Sequence, residues 1–401
     1  MSLNLDTAEV RERTNALNAL KILDTPREER YDRVVRLACR LFDVPMAAIN
    51  FIDADRQWTK AEAGLAGLSE TPLADSLCRQ TVQQPSTLVV PDARHDDRFS
   101  GNRFVRQDPH VRFYAGEPIA APGGERVGSL CILDTKPRQF SAREQEILHE
   151  LAVWVERELV IQRELDRAAQ IQQMLMPREA PVLPGYELAG YCLPTQDIGG
   201  DFFGWQELND GSVQLHVADV MGKGIPAALI AASVRAMLVG ASQFNDLHGT
   251  VHRVAAASEP LLSDAGSFVT AFSARLDPAT GRLDYVDAGH GLAAVFHPDG
   301  YRRLKASGPP LGVLPGQRWQ VHTTMLAPGE TLVVASDGLL DFFPTLEETL
   351  DQMHRLNVRA RPAAEMVANV MTFAKARKHS DDVTVVVLRR DGVSLTNSTE
   401  G

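Results

Sequence analysis

Apolar residues in this chain recur with two periods, and the points where the period changes mark its organisation. Near the start, Val34, Val35, Leu37, Ala38, Leu41 and Phe42 share one side of a helix; Asp24-Thr25-Pro26 before it reads as an N-cap followed by proline at the first helical position. The mostly apolar run Met46 to Ile52 predicts a strand, and Asp53-Ala54-Asp55 turns it into a second, Gln57 to Ala63. A helix over 75–84, a strand Leu88 to Val90 and an antiparallel pair, Phe113 to Ala120 with Arg126 to Ile132 about Pro122-Gly123-Gly124, complete the first part. Helix first, then a sheet with crossing helices, is an α+β pattern of a sensor-like domain over 1–140.

At Ser141 the period becomes helical for more than thirty residues, opened by a capping box with Glu144 at the third helical position. Ile147, Trp154, Ile161, Ala168 and Leu175 recur every seven residues, with Leu151 and Leu165 on the companion positions and Glu158 and Gln172 interrupting them. This predicts a helical coiled-coil linker over 141–180 that forms a parallel homodimer. The alternative is a helix packed along its own domain.

After Met176-Pro177, strand-like runs at Tyr186 to Leu193, Val213 to Val220, Phe268 to Leu276, Leu283 to Ala288, Ala293 to His297, Thr331 to Ser336 and Val383 to Leu388 alternate with turns. Helical runs lie at Pro226 to Gly240, Thr250 to Leu262 and Ala363 to Lys375. Many strands with a few long helices predict two antiparallel sheets flanked by helices over 181–392. The tail 393–401 is expected to be disordered.

Composition narrows the function classes. At 401 residues two cores are the expectation, and a net charge of −11 leaves no basic excess for binding nucleic acid. Cys39, Cys78, Cys131 and Cys192 are scattered without a C-x-x-C pair, so neither a zinc site nor a disulfide framework is expected, and a reducing cytoplasmic setting is the simplest. The opening residues are too polar for a secretory signal. The longest apolar window, Ile225 to Ala241, is interrupted by Arg235 and falls short of the roughly 20 residues of a membrane span, so no membrane partner is expected.

Chemistry is concentrated in four acidic positions at strand ends. Asp201 heads one apolar run, Asp219 ends the next and is followed by Gly222-Lys223-Gly224, Asp337 follows the run Thr331 to Ala335, and Asp381-Asp382 precede Val383. Singly, each reads as a turn or capping aspartate. Together, on rigid strand ends, such carboxylates are the ligands that hard divalent cations take. Two such ions, about 3.5 to 4 Å apart, activate a water against phosphorus.

Two families resemble these residues. Leu23-Asp24-Thr25-Pro26, DADRQW (53–58), Glu70-Thr71-Pro72, VPDAR (90–94), Arg112-Phe113-Tyr114-Ala115-Gly116 and Gly128-Ser129-Leu130-Cys131 together resemble bacterial GAF domains over about residues 15 to 160. That implies a sensory module with a small-molecule or protein ligand. IGGDFF (198–203), VADVMGKG (217–224), Ala288-Gly289-His290, Gly308-Pro309-Pro310-Leu311-Gly312, Ser336-Asp337-Gly338 and Asp381-Asp382-Val383-Thr384 are similar to the PPM-type serine/threonine phosphatases of the SpoIIE and RsbU branch. This match covers about residues 165 to 390, in the right order, and implies an α-β-β-α sandwich.

The second resemblance implies two manganese (Mn2+) or magnesium (Mg2+) ions and a metal-activated water attacking phosphoserine or phosphothreonine without a covalent enzyme intermediate. Asp219 would bridge the ions, the Val220 carbonyl would reach one, Asp337 and Asp381 would hold the other, and Asp201 would complete the second ion's shell directly or through water. Asp382 stands where many relatives have asparagine, so the ligand is either Asp381 or Asp382. The implied substrate is a phosphorylated STAS-type anti-sigma-factor antagonist in the cytoplasm, with the GAF domain regulating turnover through the linker. Gly204 follows Phe203 where relatives often carry an acid.

Other residues carry bland readings beside functional ones. His290 in its AGH turn suits a structural hydrogen bond better than a general acid, Lys223 either steers phosphate or is a solvated loop lysine, and Asp53, Asp55 and Arg56 make a polar turn. Cys78 reads as a core cysteine on a helix face rather than a chromophore anchor or redox sensor. A catalytically silent binding module would require loss of the metal ligands, all of which are present. A diguanylate cyclase, suggested by GGDFF, has no place for VADVMGKG or SDG and has Phe where that signature needs Glu.

Overall fold

The computed structural model describes residues 7–357 and 362–392, and the expected tail 393–401 lies outside them. The chain divides into two compact units at Glu164/Leu165, inside the long helix expected as linker.

In the first unit, helices α1 (Thr7–Ala19) and α2 (Glu29–Phe42) precede a six-stranded antiparallel sheet. Its members are β1 (Met46–Ile52), β2 (Arg56–Ala63), β3 (Glu70–Pro72), β4 (Leu88–Val90), β5 (Phe113–Ala120) and β6 (Arg126–Asp134), in the order β3-β2-β1-β6-β5-β4. The short helices α3 (Cys78–Thr81) and α4 (Arg103–Arg106) cross between strands. Every residue of β1 is buried, because each face of the sheet has its own core. Ile49 and Phe51 point to α2 and to the first half of α5 (Ala142–Leu175), while Ala48 and Ile52 face Cys78, Phe99 and Tyr114.

The expected cap at Asp24-Thr25-Pro26 is not one. Helix α2 starts at Glu29, and the 24–28 segment instead encloses the fully buried side chain of Lys60. The ammonium donates to Thr25 Oγ1 (2.6 Å) and the Pro26 carbonyl (2.8 Å), pairs with Glu28 Oε1 at 2.5 Å and lies over the Tyr31 and Trp58 rings. Burial lowers the Lys60 pKa against the pull of Glu28. A long-range demand thus outweighs a good local capping sequence.

Helix α5 opens with the expected capping box, Ser141 N donating to Glu144 at 2.7 Å. Its core face is Leu148, Leu151, Ala152, Val155 and Leu159, packed on the first unit, so the packed-helix alternative describes its first half. The seven-residue stripe is a different face: Trp154 and Ile161 on it are exposed, as are the neighbouring Ile171 and Met174.

The second unit is a sandwich of two five-stranded antiparallel sheets. β7 (Tyr186–Leu193), β8 (Phe202–Glu207) and β9 (Val213–Val220) lead into the helices α6 (Ile225–Ser242) and α7 (Leu247–Ala265). Then come β10 (Val269–Asp277), β11 (Arg282–Ala288), β12 (Ala293–His297), β13 (Gly300–Arg303), β14 (His322–Met325) and β15 (Thr331–Ala335). A 3-10 turn over Asp337–Phe342, α8 (Leu346–Asn357), α9 (Ala363–Lys375) and β16 (Val383–Arg390) close the unit. One sheet runs β14-β11-β10-β9-β8, the other β13-β12-β15-β16-β7.

Leu215, Val217 and Phe272 of the first sheet meet Val295, Val334 and Val386 of the second in a shared core. Helices α6 and α7 cover the outer face of the first sheet and α8 and α9 that of the second, giving the expected α-β-β-α layering. Helix α6 has the length and composition to cross a membrane, and its apolar character is used on the sheet, where Ala227, Ile230, Ala231, Val234 and Leu238 are buried. Strands β13 and β14 and helix α8 escaped the sequence reading because they are short or partly exposed.

His216 of β9 is buried between β10 and α6, its ring bonded to Ser273 Oγ (2.9 Å) and Ser242 Oγ (3.3 Å). Burial, helped by Arg275 and Arg235, lowers its pKa to about 3. Between that value and about 6.5 the unfolded chain binds a proton that the folded chain refuses, so stability falls as pH falls, by at most about 1.4 kcal/mol per pH unit. His216→Asn should flatten this acid limb in denaturation midpoints measured from pH 7 to 4; an unchanged limb would show that the imidazole does not contribute.

Candidate active site

Strand register brings the acidic ends together. Phe202 of β8 pairs with Ala218 of β9, which sets Asp201 and Asp219 side by side at the end of the first sheet. In the second sheet Ala335 pairs with Val385 and Leu193 with Val383, so the end of β15, the end of β7 and the start of β16 share an edge. Asp337 leaves that edge in the 3-10 turn, and Asp381 and Asp382 enter it.

The two sheet edges are tied by side chains. Thr384 Oγ1 donates to Asp201 Oδ2 at 2.6 Å. The Asp382 carboxylate accepts from three backbone amides: Thr195 N on Oδ1 at 2.7 Å, and Gly200 N and Asp201 N on Oδ2 at 2.7 and 3.3 Å. Ser336 Oγ accepts from Thr384 N (2.9 Å) and donates to the Asp382 carbonyl (3.1 Å). The Gln172 amide of α5 also pairs with both backbone groups of Gly199, at 2.7 and 3.1 Å.

Two glycines permit this closeness. A Cβ on Gly200 would stand 2.8 Å from the Val220 carbonyl, and one on Gly338 only 2.1 Å from the Asp382 carbonyl. Both therefore belong to the site as much as the carboxylates do.

The electrostatics reflect crowding of like charge. Burial, then Asp219, push the Asp201 pKa well above the usual carboxylate range, against hydrogen bonds from Thr384 and Ser336. Burial, then Asp337, raise Asp219 to about 6, with Asp381 and Asp382 adding to the effect and a hydrogen bond with Asp201 opposing it. Burial, then Asp381 and Asp341, raise Asp337. Among the described residues a close cation is Lys223, whose ammonium lies 3.3 Å from Asp381 Oδ1 and bonds the Ser380 carbonyl.

All four expected strand-end carboxylates thus interact at one edge. Among the described residues no three His, Cys, Asp or Glu side chains stand in a closed metal geometry. The donor set nevertheless fits hard divalent ions: it is all oxygen, and it gathers partly buried negative charge with Lys223 at Asp381. Asp201, Asp219, Asp337, Asp381 and the Val220 carbonyl could serve as ligands. Asp382 has both oxygens engaged by amides, and so differs from its neighbour.

His290 is buried, with Nδ1 3.2 Å from Thr270 Oγ1 and with its own amide held by Asp287. Burial lowers its pKa to about 4, so the ring is neutral at pH 7. At Gly204, a Cβ would lie 4.0 Å from Arg235 Nε, which has no hydrogen-bond partner. Gly200 and Ser336 lie within the quoted motifs but were given no part in the site, and Thr195 and Gln172 were overlooked; adjacency to IGGDFF is the signal that could have pointed to Thr195.

Residues 209–391 match the family model of Stage II sporulation protein E (SpoIIE), and residues 26–159 match that of the GAF domain. The chain is 26% identical over 249 residues to the phosphoserine phosphatase RsbU of Bacillus subtilis, covering 57% of this chain and 71% of that protein. It is 36% identical over 122 residues to the cyclic di-GMP phosphodiesterase PA2567 of Pseudomonas aeruginosa, covering 30% of this chain. The chain spans only 21% of the length of PA2567. Among solved structures, the SiaA-PP2C domain of Pseudomonas aeruginosa shares the fold at a TM-score of 0.50 and 21% identity, over 58% of this chain and 98% of that one.

Asp382→Ala should leave three amides without their acceptor and destabilise the second unit by about 3 kcal/mol or more. Asp382→Asn, which keeps one oxygen acceptor, should cost less. Denaturant midpoints report both, and equal stability of Asp382→Ala and the parent would refute the clamp.

Proposed function

The chain joins a GAF domain to a phosphatase domain of the SpoIIE and RsbU type, and on that premise we propose that it hydrolyses phosphoserine or phosphothreonine on a signalling protein. The observation that carries the reading is the meeting of Asp201, Asp219, Asp337 and Asp381, drawn from two sheets, at one edge. In this reading the site holds two manganese or magnesium ions, which when bound would polarise the phosphate ester and lower the pKa of water.

The residues divide the remaining work. Asp219 interacts with both Asp201 and Asp337, and would contribute to holding both ions. The Val220 carbonyl and Asp201 would hold one ion, and Asp337 and Asp381 the other. Thr384 holds one oxygen of Asp201 and so fixes the direction of its second. Asp382 is assigned to holding the 195–201 loop, because its oxygens are already occupied. Lys223, beside Asp381, adds positive charge at the mouth where a phosphate dianion must arrive.

The proposed substrate is a phosphorylated STAS-type anti-sigma-factor antagonist in the cytoplasm, in keeping with the likeness to RsbU. The GAF domain, through its own ligand, is proposed to regulate turnover by way of α5. The Gln172 amide supports that route, since it grips Gly199 two residues before Asp201. The exposed Trp154 and Ile161 support a homodimer through the same helix.

Purified chain with manganese should release phosphate from an aryl phosphate and from a phosphoserine protein. Asp219→Asn should lose at least about 100-fold in rate, together with the heat of manganese binding in calorimetry. Absence of turnover on several phosphoproteins with manganese present would overturn the assignment. Gln172→Ala should leave the unfolding midpoint nearly unchanged but alter basal turnover by about tenfold, as expected for a misplaced Asp201; identical turnover would exclude the Gly199 contact as the regulatory route.

A further inference from the structure

On the α3 side of the first unit's sheet, two cysteines lie together in the core. Cys78 opens α3 and Cys131 sits in mid β6, and their sulfurs are 3.6 Å apart. Asn50 Nδ2 donates to both, at 3.3 and 3.4 Å, and Thr59 Oγ1 donates to Asn50 Oδ1 at 2.8 Å, which fixes the amide in that orientation. An amide locked toward two sulfurs is a polar device set among the apolar side chains of Ala48, Ile52, Leu77 and Leu133. Nothing in the phosphatase chemistry uses it.

The pair also borders a small cavity, rimmed by the half-buried Leu65, Leu68, Phe104 and Pro109. With about 40 Å³ of free space the cavity is large enough for a solute of the size of water or hydrogen peroxide, while both thiols are only 2% exposed. Gly64, Ala66 and Gly67, all at positive φ, form the loop carrying the two rim leucines.

We propose that Cys78 and Cys131 form a reversible dithiol–disulfide couple, oxidised by hydroperoxides that enter through this cavity. In the first step the Cys78 sulfur attacks one peroxide oxygen; the O–O bond breaks, and Cys78 becomes a sulfenic acid as water leaves. In the second, the Cys131 sulfur attacks that sulfenic sulfur, the S–O bond breaks, the Cys131 proton leaves with the oxygen, and a second water forms. Two thiols and one hydrogen peroxide become one disulfide and two waters, and a dithiol reductant reverses the change.

The assignment of roles follows from the surroundings. Contact with Cys131, aided by Ser129, Tyr114 and Asn50, holds the Cys78 thiol down at about 7 despite burial, whereas Cys131 is pushed well up. The thiolate is the nucleophile, so Cys78 attacks first and Cys131 resolves. Closing the sulfurs to about 2.05 Å requires movement of one backbone. Helix α3 is the element able to give, with four residues against the fully paired β6. Cys39 and Cys192 have thiols raised by burial and serve as internal controls.

The experiment treats the purified full chain with hydrogen peroxide, denatures it, alkylates free thiols and measures intact mass. Two of the four thiols should escape alkylation and return after dithiothreitol, and peptide mapping should find Cys78 linked to Cys131. Cys131→Ser, which keeps a hydrogen-bond donor beside Cys78, should instead trap a sulfenic acid at Cys78 that reacts with dimedone, and Cys78→Ala should slow oxidation of Cys131 at least tenfold. Four free thiols after a treatment that oxidises free cysteine, or a crosslink made by Cys39 or Cys192, would overturn the proposal. The crosslink in the parent chain decides the matter even if either variant fails to fold.

Discussion

The candidate site depends on one carboxylate whose two oxygens are both taken up by backbone amides. Asp382 accepts hydrogen bonds from the amides of Thr195, Gly200 and Asp201, residues more than 180 positions earlier in the chain. Each amide leads into β8 on one sheet, while Asp382 leads into β16 on the other. Hydrophobic packing between the sheets sets their separation but has no direction. The charge-assisted bonds of Asp382 supply that direction, and they fix where Asp201 stands relative to Asp219 and Asp337.

Holding acids together is costly, and the structure distributes that cost. Asp201 is almost fully buried, with Thr384 and Ser336 offsetting part of its desolvation, and Asp219 sits among four other carboxylates. Strand ends are suited to this because the backbone there is already paired in the ladder and cannot yield to the repulsion. The glycines at 200 and 338 let main chain approach main chain without a side chain between, so that carbonyls as well as carboxylates face the same space.

Much of this was legible in the residues. Asp201, Asp219, Asp337 and Asp381 could be singled out because each adjoins an apolar run and a glycine or second acid, a pattern set by local register. That Asp382 is the one of the two adjacent acids to meet the amides of Thr195, Gly200 and Asp201 could not, because it depends on a loop distant in sequence. Similarly, the period of α5 was visible, but not which stripe the first unit would bury: Leu148, Leu151, Val155 and Leu159 compete with Trp154 and Ile161 on composition alone. The cap at Asp24-Thr25-Pro26 misled because its hydroxyl and carbonyl are used by Lys60, a residue that polarity alone would place on the surface.

That lysine has a further consequence, for how the first unit meets its ionic surroundings. Pairs such as Arg27 with Asp32 or Arg56 with Glu70 lie in solvent, where mobile ions attenuate attraction over about 8 to 10 Å. Lys60 lies behind Tyr31 and Trp58, out of reach of that ion atmosphere. Brine should loosen the periphery of the unit while its anchored 24–28 segment stays in place, so halotolerance there is set by one enclosed ammonium and not by the tally of surface pairs.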